Sequence, residues 1–329
     1  MVMSESLAYS MMRVFVNWQR ERRLNKVRER KQAARMANGL LAAGGGHIDL
    51  FRRLGGHSLA LRVDGSIACW GYNGDGRAPP AGVPGNFVAI AAGHAHSLAL
   101  RVDGSVACWG INTFGQAPPA GVPGNFVAIA AGPAHHSLAL RVDGSVACWG
   151  RNDLGQAPPD GVPGNFVAIA AGTVHSLALR ADGSVACWGY NGNGQAPPAG
   201  VPGNFVAIAA GWRHSLALRA DGSIACWGDN GDGEAPPAGV PGKFVAIAAG
   251  GDHSLALRVD GSIACWGRND LGQAPPDGVP GNFVAIAAGV RHSLALGADG
   301  SVACWGYNEN GEATTDGVSG PFRVTQADL

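Results

Sequence analysis

From residue 57 to residue 312 the apolar positions of this chain follow no helical period. They fall in blocks of five or six residues, cut by Gly and Pro before a helix could form. One set reads Phe87 to Ala92 (FVAIAA), His96 to Arg101 (HSLALR) and Ser105 to Trp109 (SVACW). Leu59 and Leu61 alternate with Ser58 and Ala60, and Ile67 and Cys69 alternate with Ala68 and Trp70, so each strand is apolar on both faces. Asp103-Gly104 between two such blocks predicts a two-residue hairpin turn in which both residues accept positive φ. Beyond Trp109-Gly110 come Asn112 and Gly115, a Pro118-Pro119 stretch, and Val122-Pro123-Gly124-Asn125, which suits a type II turn. The unit reads as an antiparallel meander of three strands, with a short fourth strand expected around Gln116 to Pro119.

The unit repeats. Cys-Trp-Gly occurs at Cys69, Cys108, Cys148, Cys187, Cys226, Cys265 and Cys304, at spacings of 39, 40, 39, 39, 39 and 39. His-Ser-Leu-Ala-Leu runs in phase from His57, His96, His136, His175, His214, His253 and His292. Residues 148–172 recur unchanged as 265–289, the mark of recent internal amplification or of design. A small sheet that is apolar on both faces must be covered by neighbours, and radial stacking achieves this while protecting the edges. The expected architecture is all-β: a seven-bladed β-propeller of about 39-residue repeats over residues 47–329, after a basic, helical or flexible extension at residues 1–46. A parallel β-solenoid competes, but its coils lack Asp-Gly hairpins. The imperfect segments Ile48 to Phe51 and Phe322 to Gln326 are expected to close the ring, one or both in the same blade, which brings the termini together.

Ile90-Ala91-Ala92-Gly93-x-x-His96-Ser97-Leu98-x-Leu100, followed by Asp103-Gly104 and Trp109-Gly110-x-Asn112-x-x-Gly115-Gln116, resembles the repeat of the regulator of chromosome condensation family. The resemblance covers residues 57–321. It implies a seven-bladed propeller and a structural, hydrogen-bonding role for His57, His96, His136, His175, His214, His253 and His292, set in a repeated frame with Trp70, Trp109, Trp149, Trp188, Trp227, Trp266 and Trp305. It also raises guanine-nucleotide exchange on a small GTPase, with chromatin contact through the basic arm. The family's exchange factor works through an inserted β-wedge, whereas the repeats here read as free of insertions longer than one residue. The short period is similar to that of compact bacterial relatives, the β-lactamase-inhibiting propellers, which adds enzyme inhibition as a third class.

Strand parity sorts the loops. If FVAIAA runs up, HSLALR down and SVACW up, then the Gly-x-x-His and Trp-Gly-x-Asn-x-x-Gly loops share one face and the Asp-Gly and Val-Pro-Gly-Asn turns share the other. The second set scarcely varies from copy to copy, whereas the first varies freely. It offers Trp212, Arg213, Asp252 and Arg291 before the His residues, and Tyr72, Ile111, Arg151, Tyr190, Asp229, Arg268 and Tyr307 after Trp-Gly, with Phe114 beside them. Tyr, Trp and Arg dominate interface hot spots, and exchangeable loops on a rigid scaffold are where recognition concentrates. The expected function is therefore non-enzymatic binding of another protein across this face by a monomeric chain. Trp212 is the leading residue, because other copies tolerate Gly or Thr in its slot.

Composition sets limits on other chemistry. With 46% hydrophobic and 15% charged residues and zero net charge, the average surface neither attracts nucleic acid nor buffers metal. Residues 1–46 differ: nine Arg and Lys stand against three Glu, so an anionic partner (nucleic acid or a membrane surface) or an organelle transit role is open for them. Ser4 can cap a helix carrying Leu7, Met11, Val14, Phe15, Trp18, Leu24 and Val27 as far as Asn38-Gly39. Cys spacings near 39 match no zinc motif, and an odd number of cysteines argues for reduced, buried thiols in an intracellular compartment, cytoplasmic or nuclear. Asn73-Gly74-Asp75-Gly76 and Asp229 to Gly233 echo calcium loops but lack the distant bidentate Glu and read as turns. No nucleophile elbow, phosphate loop or stretch of 18 apolar residues is present, so neither catalytic residue, metal, cofactor nor membrane span is expected.

Overall fold

The computed structural model describes residues 41–44, 48–49, 52–53, 56–314 and 322. The expected helix from Ser4 to Gly39 lies outside them. Seven three-stranded antiparallel sheets form seven blades. Blade 2 is typical, with inner strand Phe87–Ala92, middle strand His96–Arg101 and outer strand Val106–Gly110. Blades 3 to 7 repeat it from inner strands Phe126–Gly132, Phe166–Ala171, Phe205–Ala210, Phe244–Ala249 and Phe283–Ala288. Each inner strand packs against those of its two neighbours, and the series closes on blade 1.

The two faces of a blade are unequal, and this asymmetry makes the stacking work. Leu138 and Leu140 of blade 3 pack, with Val146, Cys148 and Phe166, against the small Ala178 and Ala186 of blade 4. Blades 2 and 3 meet in the same way through Leu98 and Leu100 against Ala139 and Ala147. Large residues on one face thus fill the space left by Ala on the next, which gives close packing with a single rotation repeated around the axis. Cys108, Cys148, Cys187 and Cys265 are buried in these seams, and burial pushes all seven thiols up to about 12, so none is ionised at neutral pH.

Polar groups stitch the seams. Each repeated His reaches the Ser that follows the His of the next blade: His57 to Ser97 at 2.8 Å, His96 to Ser137 at 3.0 Å, His136 to Ser176 at 3.1 Å, and so on to His292, which meets Ser58 at 2.9 Å. Ser137 Oγ also donates to the carbonyl of Gln116 at 2.9 Å, and Trp149 Nε1 donates to that same carbonyl at 2.9 Å. With the Ser hydrogen committed to a carbonyl, Nε2 of the His must be the donor, which fixes the tautomer. Nδ1 of His57, His96, His136, His175, His214 and His253 then accepts no hydrogen bond. Complete burial holds most of these imidazoles down at about 3, His292 at about 4 and His57 well below its usual value. The structural role implied by the family resemblance is thereby accounted for. Gly132 lies against the His136 ring; a Cβ there would overlap the imidazole and sit 2.8 Å from the carbonyl of Gly172. Space, not φ, demands this glycine.

Three local expectations need correction. The Asp-Gly turn is a three-residue loop: Arg101 N–H donates to Ser105 O at 2.9 Å, Gly104 N–H donates to Arg101 O at 3.0 Å, and of the turn residues only Gly104 has positive φ, +83°. Asp103 is held in its negative-φ position by accepting from Ser105 N–H at 2.9 Å and Ser105 Oγ–H at 2.7 Å, the geometry of a type I turn with a bulge. The fourth strand shrinks to one residue, Val122, bridging Val106 by a pair of 2.9 Å bonds; the Pro118-Pro119 stretch cannot donate to a ladder and forms a turn instead. Finally, the inner strand of blade 1 is Leu41–Gly44, pairing with His57 to Ala60, and Phe322 bridges Arg62 as Phe87 pairs with Arg101. Phe322 was expected to close the ring; its N-terminal counterpart is Leu41–Gly44, inside the expected extension, and not Ile48. Ile48–Asp49 instead pairs with Arg52–Arg53 in a separate hairpin.

Stability is expected to fall steeply in mild acid. The folded-state values of the seven imidazoles lie below the unfolded value near 6.5, so the unfolded chain binds more protons between about pH 6.5 and 3. Their contribution is complete above about pH 6.5 and lost as pH falls through that window, at up to ~1.4 kcal/mol per pH unit for each His. Urea unfolding measured from pH 7.5 to 4.5 will show the slope, and Gly132→Ala will lower the unfolding free energy at every pH by about 2–4 kcal/mol.

Candidate protein-interaction face

Antiparallel pairing puts both variable loops of every blade at the upper rim, above the His–Ser ring. The Trp-Gly-x-Asn-x-x-Gly-Gln loop is self-contained: Asn112 Oδ1 accepts from Ala117 N–H at 2.8 Å, and Gln116 Oε1 accepts from Phe114 N–H at 2.9 Å. The first bond recurs at Asn73, Asn152, Asn191, Asn230, Asn269 and Asn308. This network explains the supposed calcium echoes, in which Asn73 and Asn230 cap the loop. Among the described residues no cluster of His, Cys, Asp and Glu is placed to hold a metal ion, and no helix is long and apolar enough to cross a membrane.

The sequence-predicted residues fall into two sectors. On blades 5 to 7, Trp212 is half-buried, with Arg213 stacked over its ring at 5.2 Å, and it borders a narrow cleft with Asp252, Arg268, Val290 and Arg291. Arg268 grips Asp270 by two bonds of 2.9 and 2.6 Å and lies 3.7 Å from Asp252. Burial, then the nearby Asp232, raises the Asp252 carboxyl above its usual value. Asp229 is tied across the blade 4–5 boundary by Asn193 Nδ2–H at 3.3 Å. Trp212 is thus not a free-standing anchor: its backbone N–H donates to the carbonyls of Gly250 and Gly251, both at 3.2 Å, so it also joins blades 5 and 6.

On blades 1 to 3, Phe114 is 49% exposed, with Arg151 over its ring at 5.4 Å, and Arg151 pairs with Asp153 at 2.6 Å. Tyr72 lies over Gly74 and beneath Arg77, whose guanidinium is 4.9 Å from the ring centre; Ile111 is half-buried. Tyr190 is 42% exposed on blade 4, and Tyr307 donates to Glu309 on blade 7.

Sequence reading missed two residues here. His135 fills the one-residue insertion behind the 40-residue spacing; it alone among the described non-glycine residues has positive φ, +65°, and it stacks between His94 and Phe114 at 6.1 and 5.5 Å. Arg77 occupies the buried slot that Gln116, Gln156, Gln195 and Gln273 fill elsewhere; it donates to His94 O at 2.8 Å and pairs with Asp75. The irregular spacing and the Arg in a Gln column were the available signals.

Fold and site define a seven-bladed propeller with a constant frame and a varied upper rim. Residues 87–116, 126–156, 166–195, 205–234, 244–273 and 283–312 each match the regulator of chromosome condensation (RCC1) repeat, together more than half of the chain, which therefore belongs to that family. No curated protein matches the sequence. Among solved structures it is similar to the CRINKLY WD40 ectodomain of the Arabidopsis thaliana receptor kinase ACR4 (25% identity, TM-score 0.64, covering 82% of this chain and 95% of that one). The ectodomain of the Physcomitrella patens receptor kinase CR4 is comparable (26%, 0.63, covering 81% and 73%). Prp20p of Saccharomyces cerevisiae, described with its binding to Gsp1p and histones, follows at 25% and 0.58, covering 68% and 73%.

Returning Arg77 to the common residue tests the frame. Arg77→Gln removes a buried charge while restoring an acceptor for the loop N–H, and is expected to leave the urea midpoint unchanged or higher. Asp75→Ala strands the guanidinium and is expected to cost about 2–3 kcal/mol in the same measurement.

Proposed function

We propose that this protein is a non-enzymatic interaction module that binds another protein across its upper rim. The observation that supports this most is the division of variation between the two faces: near-identical blades hold loops that differ in Trp212, Arg213, Arg291, Phe114 and Arg151, residue types that supply binding energy. The two sectors offer different chemistry, one aromatic and cationic on blades 1 to 3, one of mixed charge around Trp212 on blades 5 to 7. The buried thiols, without a disulfide among them, favour an intracellular setting. Prp20p, a similar structure described with protein partners, lends the reading further support.

Nucleotide exchange on a small GTPase stands as the second reading, and one feature favours it. Thirteen positions separate Gly44 from His57, where three separate Gly93 from His96, and the extra length contains the Ile48–Asp49 and Arg52–Arg53 hairpin. The upper loop of blade 1 therefore does carry an insertion, contrary to the sequence reading. Fluorescent GDP release from a panel of small GTPases separates the readings, since a pure binding module leaves the release rate unchanged.

For the leading reading, Trp212→Ala, Arg213→Glu and Arg291→Glu are each expected to weaken partner binding at least about tenfold, with melting temperatures held within a few degrees. Retained binding in all three variants would reject the upper rim as the interface.

A further inference from the structure

One column of the repeat decides what meets at the top of each seam. The residue that ends the outer loop is Gln in four blades, Arg77 in blade 1, and Glu234 and Glu312 in blades 5 and 7. One end of this side chain closes its own loop and the other crosses to the residue before the His of the next blade. Gln116 Oε1 accepts from Phe114 N–H, while its Nε2 meets His135 Nδ1 of blade 3 at 3.1 Å. Glu312 divides its oxygens in the same way, Oε2 accepting from Asn310 N–H at 2.8 Å and Oε1 from Gly56 N–H of blade 1 at 3.2 Å. Glu234 makes only the first of these bonds. Its Oε2 accepts from Asp232 N–H at 2.9 Å, whereas Oε1 is turned across the seam toward Asp252 and accepts no hydrogen bond among the described residues. The Glu234 Cβ and the Asp252 carbonyl both lie against Gly267, which fixes the two residues side by side.

Asp252 is no better served. Among the described residues no hydrogen bond reaches its carboxylate, and its ion pair is the long one of 3.7 Å to Arg268, whose guanidinium is committed to Asp270. Glu234 is 3% exposed, so the seam between blades 5 and 6 holds a buried carboxylate beside a second carboxylate with no donor between them. Burial raises the Glu234 carboxyl above its usual value, and the charges of Asp229 and Asp252 add to the effect. Buried acceptors are nearly always paired, so this slot calls for a donor from outside the chain. The donor must be a cation, since Asp229, Asp232, Glu234, Asp252 and Asp270 stand here against Arg213 and Arg268. No described carboxylates are grouped to hold a bare metal ion. An ammonium has three diverging donors and can serve two carboxylates at once, whereas the planar fork of a guanidinium matches the two oxygens of one. Trp212 lines the same cleft as Asp252, which sets an aromatic wall beside the stem of an incoming lysine.

We propose that the partner protein presents a lysine to the top of the seam between blades 5 and 6, its ammonium donating to Glu234 Oε1 and to the Asp252 carboxylate while its stem lies along Trp212. This rests on the reading of the upper rim as an interaction face and names the chemistry that one sector of it selects. Glu in place of the common Gln is then the residue that makes this seam differ from its neighbours.

A fluorescein-labelled peptide of alternating glycine and lysine, titrated with the full chain at low salt and read by fluorescence anisotropy, tests the slot. The peptide is expected to bind, and acetylation of its lysines to weaken binding at least about tenfold. Glu234→Gln gives blade 5 the residue that four other blades carry, and Asp252→Asn keeps the shape of the side chain. Each is expected to weaken binding about tenfold, with the urea midpoint unchanged or higher. Asp160→Asn, the same loss of charge at an exposed position on blade 3, is expected to change binding less than about twofold. Absence of binding, equal binding of the acetylated peptide or of one with arginine for lysine, or an equal loss on Asp160→Asn would overturn the lysine assignment. Such a failure is distinct from failure of the interaction face, which is decided by partner binding in Trp212→Ala, Arg213→Glu and Arg291→Glu.

Discussion

The His–Ser contact between neighbouring blades is the constraint from which the rest of this structure follows. Each imidazole must be neutral, because its burial is complete, and in six of the seven Nδ1 has no partner. Each must donate from Nε2, because the facing serine has given its only hydrogen to a carbonyl of the preceding blade. That carbonyl in turn accepts from the tryptophan of the outer strand. In blades 2 to 6 glycine must stand over the ring, because nothing larger fits between the imidazole and the next blade. One hydrogen bond thus dictates four residue types, and the recurrence of His-Ser and Cys-Trp-Gly in all seven copies is its record in sequence.

Closure gives these contacts cooperative weight. Seven blades in an open array would share six seams; the ring has a seventh, between His292 and Ser58. It forms only when the ends of the chain meet, and blade 1 secures this by drawing its inner strand from both ends, Leu41–Gly44 from one and Phe322 from the other. The entropic cost of joining distant ends grows only slowly with chain length, so one shared blade suffices to hold the circle.

Blade count, strand order and the side on which the variable loops lie were legible in the sequence because a fixed period repeats each signal seven times. What escaped was whatever occurs once or depends on pairing. Leu41–Gly44 is four residues without a preceding Phe, displaced from its hairpin by the inserted loop, so the repeat pattern pointed to Ile48 instead. The bulge at Val88, where Phe87 pairs with Arg101 but Ala89 with Leu100, leaves no trace in composition, since a one-residue slip is a property of two strands together. The Asp-Gly turn was recognised but its length misjudged, because the serine that locks Asp103 lies outside the dipeptide. At the upper rim, the exchangeable residues were found from variation alone, whereas His135 and Arg77 act through the neighbours they touch.

A frame so heavily specified leaves little freedom except at its two mouths, and the mouths differ in kind. The upper rim is polar and aromatic, and its loops before the His residues differ from blade to blade. The lower turns are nearly the same on every blade, an Asp at each tip beside Val or Ala, because the bulges and hairpin tips that build them belong to the frame. Similar blades occur in receptor-kinase ectodomains and in Prp20p, which shows that the scaffold does not decide the setting. The loops of the upper rim are where the repeats have diverged without disturbing the His–Ser seam.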